Sequence, residues 1–257
     1  MDAHRGCGLV PTMGALHAGH LALIESMRTR IDDVVVTLFV NPAQFDDPKD
    51  LERYPRTLDA DLTAAASAGA TAVFAPDVET VYPRNADTWT PPLPRVATAP
   101  ELEDACRPGH FEGVCKVVAR LFDLARPSMA IFGEKDWQQM RVLESMVCDH
   151  ADRWPGLQLV RGATVRDPDG LAMSSRNVLL TTDQRDRALG LSRALAVAGD
   201  GEDAMQQVLD AHKLDVEYAV IRDAETLEPP TPDSTAPLRA LIAARLDAVR
   251  LIDNGIC

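Results

Sequence analysis

The chain has 257 residues, enough for one large domain or two modest ones. Hydrophobic residues make up 46% of it and charged residues 25%, an ordinary globular balance that excludes a disordered or fibrous chain. A formal net charge of −13 argues against a protein that grips nucleic acid by its phosphates, although it does not forbid a local basic pocket.

The five cysteines, Cys7, Cys106, Cys115, Cys148 and Cys257, form no C-x-x-C pair, so neither a zinc knuckle nor a thioredoxin-like motif is expected. They read as free thiols in a reducing cytoplasm. Nothing near Met1 resembles a signal peptide, and no apolar run approaches the ~20 residues that span a bilayer. The expectation is a cytoplasmic protein with no membrane or nucleic-acid partner.

In chain order, Leu9-Val10 end a short first strand, which Pro11-Thr12-Met13-Gly14 break into a loop. From Gly19, the residues Leu21, Ile24, Met27 and Ile31 fall on one face at helical spacing. The run VVVTLFV at Val34–Val40 predicts a strand buried on both faces, stopped by Asn41-Pro42. A helix from Asp61 through Ala68 and a short strand Thr71–Ala75 follow. Residues Pro76–Pro108 are proline-rich and aperiodic, a long surface connection with room for short strands. Val114, Val117, Val118, Leu121, Phe122 and Ala125 then mark a helix, and Met129–Phe132 a strand. Gly133-Glu134-Lys135-Asp136 leave that strand and open a helix carrying Met140, Leu143 and Val147.

Alternating strands and helices predict an α/β fold, a Rossmann-like parallel-sheet domain over residues 1–160. Beyond it, Leu157–Val165 reads as a strand, Arg166–Asn177 as a polar loop and Asp183–Val197 as a helix. Val216–Ile221 and Leu238–Ile252 read as strands around a proline-rich Pro229–Pro237. Residues 161–257 are therefore expected to form a smaller C-terminal α+β domain. Ligands of parallel sheets bind beyond the C-terminal strand ends, and the polar segments 11–20, 41–44 and 133–139 all lie there.

Thr12-Met13-Gly14-Ala15-Leu16-His17-Ala18-Gly19-His20 joins a glycine loop to a helix N-terminus, whose amides and partial positive charge suit phosphate. His17 and His20 either add donors to one polyphosphate, merely cap the helix as surface residues, or form a metal pair. Met173-Ser174-Ser175-Arg176 offers two hydroxyls and a guanidinium for a second phosphate contact, or is a serine turn before a strand at Val178–Leu180. Lys135 either stabilises charge on a transferring phosphoryl group or pairs structurally with Asp136. Gln44 and Gln139 are neutral hydrogen-bonders at two strand ends, or side chains merely solvated there. Asp59 and Asp61 either assist a hydrated Mg2+ through outer-shell water or solvate a helix's first turn. Phe45, Phe111 and Trp137 read as core or pocket wall, and His4, His150 and His212 as surface residues without a constellation.

Seven ordered segments together resemble the pantothenate synthetase (pantoate–β-alanine ligase) family: PTMGALHAGH at 11–20, FVNPAQF at 39–45, YPRT at 54–57, RPGHFEGV at 107–114, FGEKDWQQ at 132–139, DGLAMSSRN at 169–177 and RLIDN at 250–254. HAGH and MSSR alone would indicate only the wider HIGH/KMSKS-type nucleotidyltransferases. The resemblance implies condensation of (R)-pantoate with β-alanine through a pantoyl adenylate, releasing AMP and pyrophosphate, with Mg2+ accompanying ATP. It implies an ATP site of Met13, Gly14, Ala15, Leu16, His17, Ala18, Gly19, His20, Gly133, Glu134, Lys135, Asp136, Val165, Met173, Ser174, Ser175 and Arg176. His20 matches the family's proton donor; Gln44 would bind pantoate and β-alanine, and Gln139 pantoate. His17, Lys135 and Arg176 are the further catalytic candidates, with no direct protein ligand to metal. The resemblance also implies a homodimer, while the need to keep the mixed anhydride from water suggests that the small domain's MSSR loop closes over ATP. Departures are a short N-terminus, Ala60 where an acid is common, Lys116 for threonine and Trp137 for tyrosine.

Two other readings compete. An adenylyltransferase on the same scaffold has no need of Gln44 and Gln139. A nucleotide-binding regulatory module has little use for His20, Lys135 and the MSSR run.

Overall fold

Strand β1 spans Gly8–Thr12, β2 Val34–Leu38, β3 Ala72–Phe74, β4 Met129–Gly133 and β5 Gln158–Gly162 in the computed structural model, which describes residues 2–45, 51–52, 54–84, 88–231 and 235–257. Among the described residues these strands make one parallel sheet of order β3-β2-β1-β4-β5. That order reverses between β1 and β4, the switch point at which such sheets bind ligands. Both segments that leave these two strands stand out by composition alone.

Alternation explains the continuous apolar runs. Val10, Val34, Val36 and Ile131 pack with Leu23, Ile24 and Met27 of helix α1 (Ala18–Arg28) and Ala65 of α2 (Leu58–Ser67). Leu9, Val35, Ala130 and Phe132 point the other way, into a cluster with Phe122 of a later helix and Met140 and Leu143 of another. Every second residue thus serves one face. Leu9 is fully buried, and its truncation to alanine should cost about 2–5 kcal/mol.

The strand expected to break at Pro11 continues through it. Pro11 pairs with Thr37 of β2, whereas the β1–β4 ladder extends only to Leu9 and Ala130. The missing N–H therefore costs no ladder bond on the β4 side. Residues 76–108 hold no strand among those described. They carry two single-turn helices, α3 (Val78–Val81) and α4 (Glu103–Cys106), and a 3-10 turn at Arg95–Ala97, while residues 85–87 lie outside the described set. Helix α5 (His110–Ala125) presents Val114, Val117, Val118, Leu121 and Phe122 inward, and α6 spans Trp137–Asp149.

The chain divides into two compact units, one of residues 1–134 and 139–163, the other of 135–138 and 164–257. The position 160/161 falls inside β5, and the segment Lys135–Gln138 belongs with the second unit. In that unit β6 (Asp215–Asp223), β7 (Leu238–Leu246) and β8 (Val249–Ile256) form an antiparallel sheet in sequence order. Ala240, Ile242, Ala244 and Leu246 pack on α7 (Thr182–Ala196) and α8 (Glu202–Ala211). Helix α8 was not anticipated, and part of the proline-rich stretch, residues 232–234, lies outside the described residues. Residues 175–179 form a 3-10 turn rather than leading to a strand at Val178–Leu180. The expected strand at Leu157–Val165 is confined to β5, because Val165 already belongs to the turn that follows.

Candidate active site

In the first unit the loop after β1 is set by its backbone. Gly14 and Ala15 both adopt left-handed conformations, φ +83° and +51°. A Cβ on Gly14 would lie 3.1 Å from Asp61 Oδ2. The turn aims two amides at one carboxylate: Ala15 N–H donates to Asp61 Oδ2 at 3.0 Å and Leu16 N–H to Oδ1 at 2.8 Å. The Thr57 hydroxyl also donates to Asp61, at 3.2 Å. Asp61 is buried, and Asp59 is exposed.

The two histidines cap α1. His17 Nδ1 accepts from Gly19 N–H at 3.2 Å, and His20 Nδ1 accepts from His17 N–H at 3.4 Å. Their rings lie 4.0 Å apart. With Nδ1 accepting in each, the matching neutral tautomer carries its proton on Nε2. The capping and the polyphosphate readings are therefore compatible, because one uses Nδ1 and the other Nε2.

Gln44 sits half-buried in a 3-10 turn, Pro42–Gln44, that Asn41 organises. Asn41 is buried; its Oδ1 accepts from Ala43 N–H at 3.2 Å and from the Tyr82 hydroxyl at 2.9 Å, and its Nδ2 donates to Gly113 O at 3.2 Å. Burial, partly offset by that bond, pushes the Tyr82 phenol up to about 12, so it stays a donor. A Cβ on Gly113 would lie 2.3 Å from Ala43 O, so α5 can approach this turn only with glycine there. Arg107 donates to Gln44 O at 3.1 Å and lies 3.1 Å from the ring of buried His110. Asn41, Tyr82, Arg107, His110 and Gly113 were not singled out as site residues. NPAQF and RPGHFEGV contained the signal, but their pairing spans 63 to 72 residues. Gln139 is half-buried in the first turn of α6. Lys116, one of the departures, stands 5.5 Å over the Tyr82 ring.

The second unit holds the other candidates. Lys135 lies in the 3-10 turn Glu134–Asp136, with Nζ 3.6 Å from Asp136 Oδ1. Met173 N–H donates to Val165 O at 3.0 Å, closing a turn whose far end is Asp167–Gly170. Arg185 of α7 clamps it, donating to Asp167 at 2.7 Å and to Asp169 at 2.8 Å. Ser174 Oγ accepts from Arg176 N–H at 3.2 Å, and Asn177 Nδ2 donates to Ala172 O at 3.0 Å. Ser174, Ser175 and Arg176 are half-buried. The expected site residues thus divide between the units, His17, His20, Gln44 and Gln139 in the first and Lys135, Asp136, Val165 and Met173–Arg176 in the second.

Two other expectations change, those for Asp61 and for the three outlying histidines. Asp61 is not a solvated first-turn acid, because it is buried and its two oxygens accept from backbone amides. Among the described residues no group of three His, Cys, Asp or Glu stands together as a metal site. His4, His150 and His212 each have a partner: Asp33 at 3.0 Å, the Trp89 ring at 4.9 Å and Arg193 at 3.1 Å. Phe111 and Trp137 are buried, and Phe45 stacks edge-on against Tyr54 at 5.4 Å.

A parallel sheet of this order, with a glycine-histidine loop and helix N-terminus at its switch point, defines a Rossmann-like α/β protein. The family model for pantoate-beta-alanine ligase matches residues 1–256. A pantothenate synthetase from Nocardioides sp. is 46% identical, over 96% of this chain and 77% of that protein. Another, from Solidesulfovibrio magneticus, is 44% identical over 98% and 90%. The solved pantothenate synthetase of Thermus thermophilus superposes with a TM-score of 0.90 at 43% identity, covering 98% of this chain and 93% of that one. A pantoate-beta-alanine ligase from Francisella tularensis, complexed with beta-gamma ATP and beta-alanine, gives 0.80 at 31% identity, over 98% and 90%. The chain belongs to the pantoate–β-alanine ligase family. It is a ligase, and pantoate and β-alanine are the pair its family joins. No helix among the described residues is long and apolar enough to cross a membrane.

Proposed function

We propose that this chain condenses pantoate with β-alanine in two ATP-dependent steps. The pantoate carboxylate first attacks the α-phosphorus of ATP, forming pantoyl adenylate as pyrophosphate leaves. The β-alanine amine then attacks the acyl carbon, and AMP departs. The observation that carries this reading is a whole-chain family match that includes both phosphate-seeking loops and both glutamines. The complex of the Francisella relative with beta-gamma ATP and beta-alanine adds weight to it.

The first step builds negative charge on the phosphoryl oxygens and on pyrophosphate. Lys135, Arg176 and the Nε2–H groups of His17 and His20 are the donors suited to offset it. Met13–His20 and Gly133–Asp136 would bind ATP together with Val165 and Met173–Arg176, while Gln44 and Gln139 orient pantoate through neutral hydrogen bonds. His20 is assigned the proton donor. Mg2+ enters as the counterion that ATP brings, not as an ion held by Asp59 or Asp61. Residues 1–134 and 139–163 carry the pantoate-binding part, and 164–257 the MSSR loop. The active form is a cytoplasmic homodimer, which light scattering on the purified protein checks.

The decisive assay follows pyrophosphate. It is released from ATP only when pantoate is present, and pantothenate and AMP appear once β-alanine is added. Pyrophosphate release that ignores pantoate would refute the reading.

A further inference from the structure

The RLIDN motif at residues 250–254 has no part in the chemistry above, yet its last two residues bond to Lys135 and to Arg166, which lies at the base of the MSSR loop. Asp253 and Asn254 are consecutive on β8, so their side chains leave opposite faces of the sheet. Asp253, buried, takes a bidentate pair from Arg166, with Nη1–Oδ2 at 2.7 Å and Nη2–Oδ1 at 2.9 Å. Arg166 also donates to Gly170 O at 3.1 Å, and its neighbour Val165 accepts from Met173. This arm therefore fixes the base of the MSSR loop. Asn254, also buried, donates through Nδ2 to Lys135 O at 2.8 Å, and its Oδ1 accepts from Arg239. Arg239 in turn lies 3.5 Å over the ring of Trp137, whose indole N–H donates to Ala224 O at 2.8 Å. That arm fixes the GEKD turn.

We propose that Asp253 and Asn254 are positioning residues for adenylate formation, holding the Lys135 turn and the Ser174–Arg176 loop in one frame so that both address a single triphosphate. The inference rests on the ATP-dependent reading above. Its physical basis is the choice of groups. A buried ion pair gives little net stability over apolar packing of the same shape, whereas a bidentate pair fixes distance and angle. Transition-state charge is offset only by donors already in place, and a misplacement of about 1 Å costs about 10²-fold in rate. A strand that both segments share is the stiffest ruler the unit offers.

The test is a double-mutant cycle on pantoate-dependent pyrophosphate release. Asn254→Asp keeps the acceptor for Arg239 and removes the donor to Lys135 O. It should lower kcat ~10-fold or more with little change in the KM for ATP. In a Lys135→Ala background the same change should cost no more than about twofold, because no ammonium is left to position. Aminolysis of supplied pantoyl adenylate, which involves no pyrophosphate, should proceed at close to the wild-type rate. A near wild-type kcat in Asn254→Asp, losses that multiply in the double variant, or an equal fall in both steps would each overturn the proposal. Should Asn254→Asp not fold, Asn254→Leu removes the donor without adding charge and enters the same cycle. Failure of the underlying reading is separate: the wild-type protein itself would then release no pantoate-dependent pyrophosphate.

Discussion

The two phosphate-seeking loops are held by opposite means. In the first unit, the loop before α1 is a backbone device, with consecutive left-handed residues, a self-capping histidine pair and two amides on the buried Asp61 carboxylate. In the second, the MSSR loop hangs from side-chain ion pairs, Arg166 on Asp253 and Arg185 on Asp167 and Asp169. Backbone anchoring tolerates no adjustment, which suits groups that must be pre-aimed. Of these clamps the bidentate pair on buried Asp253 is rigid, whereas the partly exposed Arg185 clamp is softer and screened by solvent and salt. The difference teaches that the first loop should be sensitive to single atoms and the second graded in its response.

The largest effects test the donors themselves. Lys135→Ala and His20→Ala should each slow pantoate-dependent pyrophosphate release by ~10²-fold or more, since each removes a group aimed at developing charge. Rates within a few-fold of wild type would take either residue out of the site. Next comes the anchor. Asp61→Asn turns an amide donor toward an N–H and should lower stability by about 1–3 kcal/mol, read as a fall in the denaturant midpoint. It should also depress the first step. Unchanged stability would show that the carboxylate is not what holds the loop.

The softer clamp should respond less. Arg185→Met leaves Asp167 and Asp169 on the surface side and should raise the KM for ATP only severalfold, with stability changed by about 1 kcal/mol or less. A loss as large as that of Asp61→Asn would erase the contrast between the two loops. The smallest effect concerns the rigid frame beneath the first loop. Burial pushes the Cys7 thiol up to about 11 and the Cys115 thiol up to about 12. At a pH of about 8 both stay protonated as well as covered, so an aromatic disulfide reagent should titrate only Cys106, Cys148 and Cys257 in the native protein. All five should react in denaturant, and early reaction of Cys7 would mean that β1 opens.

What was legible in the sequence was whatever local chemistry writes. The run VVVTL announces a strand covered on both faces, Gly14 and the H-x-x-H spacing announce a loop entering a helix, and alternating elements announce a parallel sheet. Where a residue's job depends on a distant partner, the linear pattern was silent or misleading. Asp61 reads equally as a metal-side acid or a solvated helix turn, and only the fold shows it buried against the amides of a loop 45 residues away. Pro11 looked like a strand breaker, because only the register of β1 against β4 shows that no bond is lost there. Asp253 and Asn254 were visible as a motif but not as a device, since Arg166 and Lys135 reach them across 87 and 119 residues. Propensity and periodicity act within a turn or two of chain. Hydrogen-bond satisfaction of buried charge is settled only when the fold closes.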